Sequence, residues 1–320
     1  WSDTMTDIRN LSVGVDLGGT KVAVGLCSNG EILKKSIFPT QANNGFDSII
    51  DTILSAVKTE IGDTDLKDIR GLGIGAAGQI NPITGEVIYA PNLHWEHAPL
   101  GKTLEEKLGL PVKVLNDVRA ATVAEQKFGN GKGLRNFGNL FIGTGVGSGW
   151  VINGMLLNGH SNSAGEIGHI CLDPEGPLCG CGHKGCLEAY SSGTGMENYC
   201  KDQIKKGRKS IIIEIAENDI NKIKGPIIGK AAQLQDELAI EAIKRVGYYL
   251  GLALANVHTL LNPEVILLGG GMMALKEIFM PVLEETMKKH ILPVANQGVL
   301  IREARFQNDA VLLGGAAIFA

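Results

Sequence analysis

No apolar run in this 320-residue chain approaches the roughly 20 residues needed to cross a bilayer, and no signal-like segment opens it. Neither a membrane span nor a membrane partner is expected. No charge of one sign accumulates: 30 Lys and Arg stand against 34 Asp and Glu, for a net charge of −4. The lysines are scattered, which argues against a nucleic-acid partner. Cysteine is sparse, with six in the chain, and Cys27, Cys171 and Cys200 lie apart with no pairing pattern. That usage suits a reducing cytoplasm and excludes a disulfide framework. A GxxxxGK[ST] run is missing, which removes Walker-type NTPases. Gly73 to Gly78 matches G-x-G-x-x-G and Gly269 to Ala274 its Ala variant. A loop follows the first, and the chain ends too soon after the second for a further nucleotide-binding half, so a dinucleotide site is not expected.

What is present begins with CGCGHKGCLE at 179–188, preceded by GEIGH at 165–169. Cys179, Cys181, Cys186 and His169 offer three sulfurs and one imidazole. That is a complete tetrahedral set for zinc, with no position left for water, and therefore a structural site. Glycines at 180, 182 and 185 let the loop curl. C-x-C-x4-C is not the common C-x2-C spacing, so on spacing alone reduced thiols in a glycine-rich loop remain the plain alternative. Glu166 and Glu188 flank the cluster, where a metal would fix them in space.

A chain of this length favours two domains. Residues 12–27 read as strand, Gly-Gly turn and strand, with a third strand at 31–38, a helix at 45–61 and a strand at 69–76. A helix at 99–109, the strand PVKVL and a helix at 119–128 follow. Residues 137–154 repeat the strand–glycine turn–strand scheme, which suggests a weak internal duplication. One long helical stretch at 228–261 precedes PEVILLGGG, a helix over 273–290 and a closing turn and helix in AVLLGGAAIFA. This alternation predicts an α/β architecture with mixed sheets. The predicted domains are 1–116, with a C-terminal helix at about 308–320 returning to it, and 117–307, which carries the cysteine loop.

Two glycine turns carry chemistry. Asp16-Leu17-Gly18-Gly19-Thr20-Lys21 presents N–H groups, a hydroxyl and an ammonium at one tip, and Gly143-Thr144-Gly145 makes a second. Positive-φ glycines there would aim N–H groups at one anion, and two such tips would clamp a polyphosphate. Asp16 could hold Mg²⁺. The plain reading is two ordinary hairpins. Asn116-Asp117 follows a strand and precedes a helix. It is either a general base with a neighbouring ligand or a helix N-cap.

These motifs, in this order across nearly the whole chain, resemble the ROK family of sugar kinases and repressors in the hexokinase–actin-like ATPase superfamily. DLGGTK is similar to its first phosphate loop, LNDVRAA to its catalytic motif and GTGVGSGWVINGMLLNGHSNSAGEIGH to its long signature. CGCGHKGCLE is similar to its zinc motif and LLGGG to its adenosine-side loop. The resemblance implies a two-domain actin-like (ribonuclease H-like) fold with an inter-domain cleft. It implies ATP, Mg²⁺ and structural Zn²⁺, with Asp117 as general base. Asn116, Gly78, Glu166, His169 and Glu188 would be sugar contacts, and His169 with the three cysteines would be zinc ligands. Asp16, Gly18, Gly19, Thr20, Lys21, Gly143, Thr144 and Gly145 would lie on the phosphate side, and Gly270 and Gly271 near the adenosine. Arg119 stands where the family often has a second Asn. Glucose is the implied substrate, followed by N-acetylmannosamine or N-acetylglucosamine, then fructose or mannose. A repressor would carry a helix-turn-helix ahead of DLGGT, for which residues 1–15 leave no room. A non-catalytic sugar-binding protein would not need an intact Asp117. A homo-oligomer, dimer or tetramer, is expected.

Overall fold

A computed structural model describes residues 10–293 and 300–320. Residues 1–9, assigned above to the first domain, lie outside the described residues. The first sheet takes the order β3-β2-β1-β4-β8. Its strands are β1 (Leu11–Leu17), β2 (Lys21–Ser28), β3 (Glu31–Pro39), β4 (Ile69–Ala76) and β8 (Val112–Asn116). β1, β2 and β3 form an antiparallel meander, whereas β4 and β8 run parallel to β1. A small antiparallel sheet inserts between β4 and β8: β5 (Gln79–Ile80), β6 (Val87–Ala90) and β7 (Trp95–Ala98). Residues 79–85, read as loop from the sequence, therefore begin with a short strand. A second five-stranded sheet takes the order β11-β10-β9-β12-β13. It contains β9 (Phe137–Ile142), β10 (Val146–Ile152), β11 (Met155–Leu156), β12 (Val265–Gly269) and β13 (Leu300–Glu303).

The helices are α1 (Phe46–Ile61), α2 (Leu100–Leu108), α3 (Asp117–Phe128), α4 (Leu187–Ser191) and α5 (Gly193–Lys205). They continue with α6 (Ile212–Ile215), α7 (Gly225–Gln233), α8 (Glu237–Leu261), α9 (Lys276–His290) and α10 (Ala310–Ala317). Among the described residues, no helix is long and apolar enough to cross a membrane. α1 shows why periodicity locates helices. Ile49, Ile50, Ile53, Ala56 and Val57 recur at helical spacing, are fully or almost fully buried, and belong to the apolar core with Val13, Val15 and Ile74.

The contacts divide the chain into two compact units. Unit 1 holds residues up to 139 together with 149–165 and 304–320; unit 2 holds 140–148 and 166–303. The division falls after 116 because α3 packs on α10 and β4. In unit 1, α10 lies on β1 and β4 with its backbone against theirs. A Cβ on Gly14 or Gly73 would overlap the carbonyls of Leu312 or Gly315, and one on Gly314 would overlap the Ala120 carbonyl. Gly314 and Gly315 are therefore helical packing positions, where the sequence reading placed a turn. In unit 2, α8 packs on α9, with Gly251 beneath the Leu283 carbonyl. The stretch 228–261 is two helices, not one. Gln235 adopts φ 64°, and Asp236 then caps α8 by accepting from Ala239 N at 2.9 Å.

One buried carboxylate ties the returning tail to α3. Glu125, fully buried, accepts from Asn130 N at 2.8 Å, Arg305 N at 2.7 Å and Phe306 N at 3.1 Å. Glu125→Gln turns an NH₂ toward backbone donors. It should lower stability by about 2–3 kcal/mol, the scale for losing charge-assisted bonds and stranding a buried donor, read as an earlier urea midpoint.

Candidate active site

Three strands of unit 1 bring their carboxyl ends to one edge. Leu17 of β1 is level with Ala76 of β4, which is level with Asn116 of β8. Asp16, the Gly18-Gly19 hairpin, Gly78 and Asn116-Asp117 follow from these ends, where α/β sheets place ligands. Both sequence readings of Asn116-Asp117 are compatible here. Asn116 caps α3, its Oδ1 accepting from Val118 N (3.1 Å) and Arg119 N (3.3 Å), while its Nδ2 donates to Gly78 O at 3.2 Å. Asp117 is thereby the first helical residue. One of its oxygens accepts from Val118 N at 2.8 Å, and burial pushes its carboxyl pKa up. Asp16, on the adjacent part of the sheet, is pushed up to about 6, first by burial and next by the charge of Asp117, with Lys21 opposing. A carboxylate raised by burial and by the charge of Asp117 suits a divalent cation, which would offset that charge.

The hairpin tips differ from their expected form. None of Gly18, Gly19, Gly143 and Gly145 has a positive φ. Their lack of a side chain serves space: a Cβ on Gly19 would sit 2.8 Å from Asn92 O, and one on Gly145 would overlap the Glu188 carboxylate. Two N–H groups counted as phosphate donors are engaged within the turns, Gly18 N on Lys21 O (3.0 Å) and Gly143 N on Gly145 O (2.9 Å). Thr20 and Lys21 are exposed. Thr40 escaped the sequence reading because it lies far along the chain from the hairpin. Its buried hydroxyl donates to Gly18 O at 2.7 Å, and its N–H donates to Thr20 O at 3.0 Å, so it holds the tip.

In unit 2, Glu188 joins two features that the sequence kept separate. One carboxylate oxygen accepts from Val146 N, just after the Gly143–Gly145 turn, at 2.9 Å, and the other lies 3.6 Å from Cys179 Sγ. Gly193 N, at the start of α5, donates to Gly143 O at 2.7 Å. Gly143, Thr144 and Gly271 line a cavity of about 900 Å³, and Gly270 holds φ 93° against the Ile142 carbonyl. The cavity wall also includes Glu197, Lys224, Lys230 and Gln233. Nothing in their local sequence pattern sets these four apart. Lys224 pairs with Glu197 at 3.1 Å, and Gly225 N donates to the same carboxylate at 3.0 Å.

His169, Cys179, Cys181 and Cys186 gather with all their ligand atoms within 4.8 Å of one another. Cys181 and Cys186 sulfurs are 3.7 Å apart, and Cys179 Sγ is 3.9 Å from His169 Nδ1. A zinc–sulfur bond of about 2.3 Å implies tetrahedral edges of about 3.8 Å, so the donor set fits zinc in chemistry and in spacing. Burial pushes the Cys179 and Cys186 thiols up, so a cation is needed to make both of them thiolates. Gly182 and Gly185 take positive φ, and a Cβ on Gly185 would overlap the Asp173 carbonyl. Glu166 and His169 are both exposed, three residues apart.

The sequence pattern of the ROK family matches residues 12–320. The chain belongs to the ROK family. A glucokinase of Streptomyces coelicolor is 35% identical over 315 residues, 96% of each chain. The ROK glucokinase of Streptomyces griseus, crystallised with glucose and AMPPNP, superposes with a TM-score of 0.81 at 31% identity, over 96% of this chain and 98% of that one. An N-acetylmannosamine kinase of Vibrio vulnificus is 30% identical over 309 residues, 96% of this chain and 97% of that one. The ROK fold is thus the α/β, actin-like architecture with mixed sheets that the motifs imply. The ROK chain's Arg119 does not reach solvent: it is 1% exposed, with its guanidinium turned toward the loop that precedes Glu166.

The raised pKa of Asp16 has a stability consequence. Between about pH 4 and 6 the folded protein binds a proton that the unfolded chain has released, so stability falls as pH rises through that window. Asp16→Asn should remove this cost. In nucleotide-free, magnesium-free protein its melting temperature should exceed the parent's by a few degrees at pH 7.5, and the gain should vanish near pH 4. Turnover should fall in the same variant, as at sites where function opposes stability.

Proposed function

We propose that this ROK-family sugar kinase transfers the γ-phosphoryl group of ATP to the 6-hydroxyl of glucose. The observation that carries the reading is Asp117, a carboxylate at the end of β8 whose pKa burial raises. In the ionised form it is a stronger base than an exposed aspartate, suited to accept the proton of an attacking hydroxyl. The bond from Val118 N holds the carboxylate at the start of α3, where it would take that proton. Asn116, tied to Gly78 O and to the start of α3, would reach a sugar hydroxyl by exchanging one of these bonds. Glucose is favoured over other hexoses by the likeness to the two Streptomyces glucokinases.

Little covalent work is required of the protein in such a transfer; positioning and charge stabilisation carry it. Thr20, Lys21, Thr144 and Gly145 would meet the phosphates, and the cavity lined by Gly143, Thr144 and Gly271 would take the nucleoside. Asp16 would hold Mg²⁺, which supplies charge neutralisation on the phosphates when bound. His169, Cys179, Cys181 and Cys186 would hold zinc, a structural ion in such a closed set. With Nδ1 toward the cysteines, the His169 Nε2 is left for a sugar hydroxyl or Glu166. Glu188 would be fixed by the same cluster. The likeness to the Vibrio kinase supports N-acetylmannosamine as a second reading.

A coupled ADP-release assay over hexoses and N-acetylhexosamines decides between them: glucose should give the highest kcat/KM, and a higher value for N-acetylmannosamine would transfer the assignment to it. Asp117→Ala should lower kcat at least about a hundredfold, the scale of general-base losses, with an unchanged circular dichroism spectrum. Near-normal turnover would reassign Asp117 to a purely structural place in α3. The wild-type protein should contain about one zinc per chain, and Cys181→Ser should lose it. Sugar KM should then rise more than ATP KM; a zinc-free variant with the parent's sugar KM would refute a link between the metal and the sugar.

A further inference from the structure

The loop 157–165 is a closed unit whose two ends are held by one residue. Leu157 N donates to Trp150 O at 2.7 Å, and Trp150 Nε1 donates to Gly165 O at 3.2 Å. Trp150 is itself 1% exposed. Within the loop, Ala164 N donates to Asn158 O at 3.2 Å, and Gly159 and Asn162 adopt left-handed backbone, with φ 70° and 58°. The guanidinium of Arg119 fills the inside. Its two terminal nitrogens donate to Asn158 Oδ1 at 3.1 Å, to Asn162 Oδ1 and to Ala164 O at 2.9 Å. Asn162 in turn donates to Ile80 O at 2.8 Å. The loop's interior thus depends on a planar, multi-donor cation that no shorter side chain reproduces.

Arg119 lies two residues after Asp117 in α3, and the loop that it holds ends at Gly165, immediately before Glu166. We propose that Arg119 is a positioning residue for sugar recognition: it fastens the 157–165 loop to the helix that carries the base and so fixes where the Glu166–His169 segment begins. This rests on the reading of Glu166 and His169 as sugar contacts. Arg119 touches no substrate in this account. It acts through Asn158, Asn162 and Ala164, on the loop that leads into the Glu166–His169 segment. Arg119 therefore replaces the family's frequent Asn with a longer tether, and the loop's asparagines are its receivers.

Arg119→Met keeps an unbranched side chain suited to burial, though a shorter one, and removes every donor, stranding three acceptors. With the sugar that the panel selects, KM for sugar should rise about tenfold or more, while KM for ATP should change less than about threefold, since a small displacement of a positioning group costs up to about a hundredfold. In substrate-free protein, hydrogen exchange of amides 158–165 should accelerate while α3 keeps its protection. Arg119→Lys should recover part of the loss, because one ammonium reaches fewer acceptors. Asn158→Ala and Asn162→Ala, on the loop side, should reproduce the sugar KM effect and combine non-additively with Arg119→Met; they carry the same test if the Met variant does not fold. Unchanged sugar KM and unchanged loop exchange would overturn the proposal. So would an equal rise in both KM values with protection lost across α3 and α10, which marks a merely structural residue. If no hexose is phosphorylated, the glucose reading fails on its own, and the exchange measurement still decides whether Arg119 holds the loop.

Discussion

A methyl group finds no room between α10 and the sheet beneath it. Gly14 and Gly73 meet the carbonyls of Leu312 and Gly315, Gly314 meets the carbonyl of Ala120 on α3, and a Cβ on Gly75 would overlap the Val311 side chain and stand 3.4 Å from Asp117 Cα. Backbone against backbone is the closest approach that a helix and a sheet can make. Because α3 packs on α10, and α3 begins at Asp117, the depth at which α10 sits sets the height of Asp117 above β4. A side chain at Gly14, Gly73, Gly75 or Gly314 would push α10 or α3 away from its neighbour. The arrangement trades the conformational entropy of several glycines for a fixed distance.

Unit 2 solves a similar problem with charge instead of steric contact. Glu188 lies between Val146 N and Cys179 Sγ, so the Gly143–Gly145 turn and the thiol cluster share one carboxyl group. The carboxylate reaches the turn only because Gly145 has no side chain in its way. Cysteine loop and glycine turn, separate motifs along the chain, are consecutive links of one hydrogen-bonded assembly.

The sequence revealed the alternation of strands and helices, the cysteine–histidine cluster and the Asn116-Asp117 pair, because each rests on local periodicity or spacing. Its errors have physical causes. Gly314-Gly315 looks like a helix breaker, yet long-range packing keeps it helical. The turn glycines were credited with positive φ, when crowding by Asn92 and Glu188 is what excludes a side chain there. The break at 234–236 is a single left-handed residue inside a continuous apolar pattern, which periodicity does not register. Thr40, Glu197, Lys230 and Gln233 join their surroundings from distant parts of the chain. Asn116 was posed as ligand or cap, and its side chain caps α3. Arg119 was legible only as a departure, because its receivers lie some 40 residues further on.

Unit 1 is assembled from separated pieces of chain, and residues 304–320 are its last. During synthesis β1, β4 and α3 are made early, with the glycine strip that α10 will occupy still open. Nearly all of unit 2 is made before α10 exists, so unit 2 can complete its core first, while the older part of the polypeptide waits with α3 unsupported on one side. Asp117, at the start of α3, therefore gains the full packing of its helix only once residues 304–320 have joined unit 1.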